Sequence, residues 1–150
     1  MWPGPSALRP MIDAELVTRK ILLITRDLEA LGPIATKDRT SYLESRTDEI
    51  LVERYLERLI GRMIDINYHL ITETGHPPPP DYHASFTQLA EQGILDHEFA
   101  PRIARCAGLR NRIVHEYNEL DPAKVFDALQ AAVRDIPEYL AKVNKYITAR

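Results

Sequence analysis

The chain has 150 residues, 45% of them hydrophobic, and a formal charge of −3 at pH 7. This suffices for one domain with its own core. The lack of any apolar run near ~18 residues argues against a membrane protein, and the acidic balance argues against a broad polyanion-binding surface, so any nucleic-acid contact is expected to be local.

Residues 1–10, MWPGPSALRP, hold three prolines and a glycine and are expected to be a flexible lead-in to a single domain over 11–150. They lack a long apolar core with a cleavage site, so secretion is not expected and a cytoplasmic location is. A first helix is predicted from Ile12, where apolar residues at Leu16, Ile21, Leu22, Ile24, Leu28 and Leu31 recur three and four apart, with Gly32 and Pro33 as its stop. A second, longer helix is predicted over Thr40 to Thr74, along a stripe that includes Tyr42, Ile50, Tyr55, Leu59, Met63, Ile66 and Leu70, and is ended by Gly75. The run GHPPPPDY cannot continue it, because four prolines lack amide donors and push each preceding residue out of the α region. It is expected to be a stiff connector. Asp81 then caps a short third helix carrying Tyr82, Phe86 and Leu89, stopped near Gly93.

The fourth helix, from about His97 to Glu119 behind a cap at Asp96, holds the feature that sequence patterning alone does not explain. At about 100° per residue, Ile103, Cys106, Ile113, Val114 and Tyr117 all fall near Arg110, which puts a permanent cation in the middle of an apolar stripe. The fifth helix starts at Pro122, carries Val125, Phe126, Leu129, Val133, Ile136, Leu140, Val143 and Ile147, and is expected to kink at Pro137. No strand alternation appears. The expected fold is an all-α, up-and-down bundle of about five helices.

Burying a cation is costly unless it is paired. On the predicted wheel Asn111 and His115 lie at about 100° and 140° from Arg110, and Tyr117 lies at about 340°. A ribose phosphodiester cleaved through a pentavalent transition state needs a proton acceptor or donor near the 2′-hydroxyl and a cation for the developing charge. His115 and Arg110 are the candidates, with Asn111 orienting the imidazole or binding a phosphate oxygen. The other reading of the same residues is structural: Arg110 in an ion pair with the second helix, and His115 as a satisfied core histidine. Cys106 has no second cysteine to pair with and is read as a small packing residue. His69, His76, His83 and His97 lack a metal-ligand spacing, so no metal site is expected. The tyrosines at 55, 68, 82, 139 and 146 are taken as core or interface aromatics.

The stretch RNRIVHEY, holding Arg110, Asn111, His115 and Tyr117, resembles the R-x4-H-x-Y motif of HepT-like toxins of the HEPN superfamily. ERYLERLIGRMIDINYHLI (53–71), PDYHASFTQLAEQGIL (80–95) and LRNRIVHEYNELDPAKVFDAL (109–129) are similar to the family's corresponding segments in the same order. The likeness extends over roughly residues 11–147. It implies a HEPN-like bundle that works as a homodimer, with the motif from two subunits forming a cleft. The implied activity is that of a metal-independent endoribonuclease, the toxin of a HepT/MntA type VII toxin–antitoxin system.

The resemblance also implies a partner, an MntA-like nucleotidyltransferase antitoxin that transfers AMP from ATP to Tyr117. The ATP belongs to the partner, and no cofactor of the chain itself is implied. An RNA substrate and no membrane complete the expected partners. Arg54 and Arg58 are candidate cleft residues for substrate, and Asp65 is the carboxylate expected to pair with Arg110 at rest. A different class of function stays open: a non-catalytic dimeric module that binds nucleotide or a nucleotidyltransferase through the same side chains.

Overall fold

The computed structural model describes residues 11–149, and of Tyr117 only the backbone. The expected lead-in, residues 1–10, lies outside them. Among the described residues the molecule is all-helical: α1 (Ala14–Ala35), α2 (Arg39–Leu43), α3 (Arg46–Glu73), α4 (Tyr82–Glu91), α5 (Ala100–Ile103), α6 (Arg105–His115) and α7 (Pro122–Thr148), with a 3-10 turn at Tyr117–Glu119. No helix among them is long and apolar enough to cross a membrane.

Short polar side chains set most of the helix starts, each taking up an amide that would otherwise have no partner. Asp13 accepts from the Leu16 amide for α1, Asp81 from Ala84 for α4, and Asp121 from Ala123 for α7, whose first residue is Pro122. The predicted second helix is split because Ser45 accepts from the Asp48 amide and begins a fresh helix, leaving 39–43 as a separate turn. Gly75 and Gly93, at φ of 88° and 76°, follow α3 and α4 as the sequence suggested.

Three expectations are corrected. The first helix does not stop at Gly32: it runs through Pro33 to Ala35, because proline's fixed φ is compatible with helix and the buried Ile34 continues the apolar stripe. The predicted fourth helix is broken at Ala104 and again after His115, and Asp96 does not cap it; the Asp96 carbonyl instead accepts from Phe99 and Ala100 while its carboxylate meets Lys142. Tyr117 therefore stands beyond the end of α6, so a helical wheel centred on Arg110 does not set its direction. Pro137 lies within α7 without ending it.

α1 and α3 run antiparallel in a register fixed along their whole length. As residue numbers rise along α1 they fall along α3: Met11 N–H to the Glu73 carbonyl, Asp13 N–H to His69 Nε2, Lys20 to Asp65, Asp27 to Arg58, and Lys37 to Asp48. The core between them and α7 includes Val17, Ile24, Leu31, Leu56, Leu59, Met63, Leu129, Ile136 and Val143.

α4 runs the same way as α3. Ser85 meets Asn67, and Gln92 meets Thr74. The proline connector makes this possible by returning beside α3, with Pro79 buried and its carbonyl 3.5 Å from the Tyr68 hydroxyl. This return places Tyr82, the first residue of α4, against Tyr68, with ring centroids 6.1 Å apart and nearly perpendicular.

Candidate functional site

Arg110 is where the wheel placed it. Ala107, Leu109 and Ile113 bury the inner face of α6, and Arg110 lies half-buried between them. Its Nε is enclosed and has no hydrogen-bond partner among the described residues. The guanidinium carbon lies 5.2 Å from the centroid of the Tyr82 ring, over its face. A ring face attracts a cation but accepts no directed N–H bond from an edge nitrogen, so the contact holds the group without satisfying it.

The Arg110 side chain opens into a cleft of about 570 Å³ between α3, α4 and α6, lined on the α3 side by Arg54, Arg58, Arg62 and Asp65. The structure thus brings together Arg54, Arg58, Asp65 and Arg110, four of the residues singled out from the sequence. The expected resting pair of Arg110 with Asp65 is not formed. Asp65 is exposed and its carboxylate lies 3.4 Å from the Lys20 ammonium of α1, while Arg110 is held on Tyr82.

His115 and Asn111 are exposed and do not line this cleft. The structural alternative for these residues fails on both counts, since Arg110 has no ion pair among the described residues and His115 is not in the core. The Tyr117 side chain lies outside the described residues.

The charge of the cleft is set by one residue that the sequence reading passed over. Asp27 of α1, 2% exposed, receives Arg58 through Nη2 at 2.7 Å and Nε at 3.3 Å, and Arg62 through Nη1 at 2.9 Å. A buried carboxylate is stable only when paired, and here a single one serves two guanidiniums. Among the described residues the ion pair of Arg54 is a long one, 3.6 Å to Glu57. The cleft lining thus holds four guanidiniums, those of Arg54, Arg58, Arg62 and Arg110, against the carboxylates of Glu57 and Asp65 and of Asp27 behind them, a small positive excess in a chain that is net acidic.

Arg62 and Tyr82 were also not foreseen in this place. The i+4 step from Arg58 could have found Arg62, and Asp27 broke the α1 stripe of Val17, Ile24 and Leu31 as Arg110 broke its own. Burial pushes the Tyr68 hydroxyl up from its ordinary value, which keeps it a neutral donor. Asn67, another polar residue of α3, is not in the cleft but fully buried, donating to Ser85 and accepting from the Tyr139 hydroxyl. Burial likewise pushes the Cys106 thiol up to about 12, so it stays protonated and packs against the core. Among the described residues no three His, Cys, Asp or Glu side chains come together as they would to hold a metal ion.

A family model described as "Ribonuclease HepT-like" matches residues 22–143, which include the cleft wall and the whole of α6. The chain belongs to the ribonuclease HepT-like family. This HepT-like chain is 32% identical over 136 residues to a protein named tRNA nuclease HepT from Aphanizomenon flos-aquae, covering 91% of the chain and 92% of that relative. It is 25% identical over 126 residues to one named mRNA nuclease HepT from Shewanella oneidensis, covering 84% of the chain and 94% of the relative. A solved structure of the tri-AMPylated Shewanella oneidensis HEPN toxin in complex with its MNT antitoxin superposes with a TM-score of 0.77 at 24% identity, over 90% of this chain and 98% of that one. A toxin–antitoxin structure with AMP-PNP superposes with a TM-score of 0.75 at 23% identity, over 85% and 97%. At that level of identity the structural likeness establishes the HEPN helical arrangement.

Proposed function

We propose that this chain is an endoribonuclease, the toxin of a toxin–antitoxin pair, that cuts RNA without a metal ion in a cleft shared by two copies. The observation that carries the reading is Arg110, a permanent cation with an enclosed nitrogen that has no hydrogen-bond partner among the described residues, on an interior face that opens onto a cleft where guanidiniums outnumber carboxylates. Such a group is unfavourable for packing and well suited to a phosphate. The family and the names of its relatives support the same substrate class.

In this reading the His115 imidazole takes the proton of a ribose 2′-hydroxyl as the 2′-oxygen bonds to phosphorus. Arg110 balances the charge that builds on the non-bridging oxygens. The bond from phosphorus to the 5′-oxygen then breaks, leaving a cyclic phosphate and a 5′-alkoxide that takes up a proton from water to become the 5′-hydroxyl. Asn111, one turn before His115, orients the ring. A homodimer supplies what one chain keeps apart: the exposed Leu43, Ile50 and Leu51, and the groove that joins Ile50 to Ile113 and Val114, favour docking of a second copy beside the C-terminal end of α6. A MntA-like nucleotidyltransferase silences the toxin by bonding the Tyr117 oxygen to the α-phosphorus of ATP, with loss of the hydroxyl proton and release of pyrophosphate. The added phosphate brings negative charge to a cationic cleft.

The non-catalytic reading, a dimeric module that binds nucleotide or the transferase, is favoured by one fact: among the described residues His115 does not line the cleft into which Arg110 opens. A single assay separates the two. Purified protein in EDTA is expected to cleave single-stranded RNA, and His115→Ala and Arg110→Ala are expected to lose roughly 100-fold or more while keeping wild-type circular dichroism. ATP with the cognate transferase is expected to stop cleavage and add adenylyl mass to wild type but not to Tyr117→Phe. Cleavage retained by both alanine variants, or a wild type that binds RNA and cuts none, overturns the catalytic reading.

A further inference from the structure

Building on the ribonuclease reading, we propose that the cleft between α3, α4 and α6 is a subsite for one unstacked nucleotide of single-stranded RNA. Its base lies against the Tyr82 ring and its flanking phosphates follow the Arg54, Arg58 and Arg62 row.

Three features point to this ligand. The three arginines sit four residues apart on one helix face, hence about 6 Å apart along the axis at 1.5 Å per residue, a step comparable to that between successive phosphates of one extended strand. Asp27 engages one edge of Arg58 and Arg62 and fixes their planes while donors remain on each. An aromatic surface stands opposite this row. Tyr82 is 37% exposed, its ring stands nearly perpendicular to that of Tyr68, and Arg110 lies over it. Alternating guanidiniums and exposed rings are the means by which proteins grip unpaired bases, since each base has a stacking face whatever its identity. In a duplex those faces are already stacked, so the same side chains would have nothing to hold.

The third feature is Gly61. Glycine in the middle of a helix is less favourable than alanine, yet a Cβ built at Gly61 would meet nothing within 4 Å. Packing does not require the glycine. It lies in the cleft wall between Arg58 and Arg62, where its missing side chain keeps open the space a ribose or base would fill. The cleft volume of about 570 Å³ falls within the range of small-ligand sites.

The test is binding of a 2′-O-methylated oligonucleotide, which cannot be cut by attack of its own 2′-oxygen, to the full-length protein by fluorescence anisotropy. Tyr82→Ala is expected to weaken binding roughly ten- to a hundredfold and Tyr82→Phe to restore it. Gly61→Leu is expected to weaken binding comparably with an equal or higher Tm. Replacing one nucleotide of the strand by an abasic unit is expected to weaken binding to wild type but not to Tyr82→Ala, a coupling that a merely structural tyrosine would not produce.

Wild-type affinity in both Tyr82→Ala and Gly61→Leu overturns the subsite, as does a duplex bound as tightly as the strand. The two readings fail separately. A protein that cuts RNA but binds it equally well without Tyr82 loses only the subsite. One that shows the Tyr82 coupling and cuts nothing keeps the subsite and loses the nuclease.

Discussion

At Asn67 the amide is fully buried and its environment is complete: it donates to Ser85, accepts from Tyr139, and Ser85 in turn donates to the Tyr82 carbonyl. Across α4, at Arg110, a guanidinium nitrogen just as enclosed has no hydrogen-bond partner among the described residues. The first arrangement joins α3, α4 and α7 and leaves nothing over for a ligand. The second leaves a strong donor idle beside an open cleft. A satisfied buried polar group serves the fold, whereas an unsatisfied one held in place by its surroundings is available to something outside the chain.

Breaking the complete cluster is expected to have the largest effect on stability. Asn67→Ala removes the hydrogen bonds to Ser85 and Tyr139, whose hydroxyls keep the Tyr82 and Met63 carbonyls, and opens a cavity, which together cost roughly 2–4 kcal/mol. Chemical denaturation should show that loss, while RNA cleavage measured where the variant is still folded stays at the wild-type rate. An unchanged denaturation midpoint would remove one side of the comparison.

A smaller loss, about 1–3 kcal/mol, is expected for Asp27→Asn, because the arginines it releases are partly exposed and regain some hydration. The same variant is expected to steepen the salt dependence of RNA binding, as the cleft gains net positive charge.

The smallest effect concerns Asp135, whose carboxyl is held below its ordinary value by the hydrogen bonds from Arg134, with Arg102 adding to the effect. A depressed folded value means that this group stabilises fully above the unfolded carboxyl's value of about 3.9, and that the contribution is lost as pH falls from there through the folded value. Asp135→Asn should therefore flatten the acid limb of a Tm-against-pH curve and leave cleavage at neutral pH unchanged.

The end of α3, the start of α4 and the start of α7 were legible because Gly75 closes a long apolar stripe, Asp81 precedes one and Pro122 stands at a first turn. The breaks at Ser45 and after His115 were not, since the apolar pattern continues across both and only the hydrogen bonds reveal them. Pro33 misled for the opposite reason: a stop signal was outvoted by the burial of Ile34.

In the candidate site, Arg110 could be found from one chain because a cation on an apolar stripe is an anomaly in a single helix. Its contact could not. Tyr82 reaches Arg110 only because residues 76–80 turn back along α3, and no property of either residue encodes that path. Asp27 was an anomaly of the same kind as Arg110 and was open to the same argument.

The ladder of contacts between α1 and α3 acts as an alignment key. Slipping α3 by one turn against α1 would separate Met11 from Glu73, Asp13 from His69, Lys20 from Asp65 and Lys37 from Asp48 together, and would carry Arg58 and Arg62 past the carboxylate that fixes them. The α3 wall of the cleft is thus barred from sliding. The row of arginines is held in place as a fixed rail, set by the same contacts that align α1 with α3.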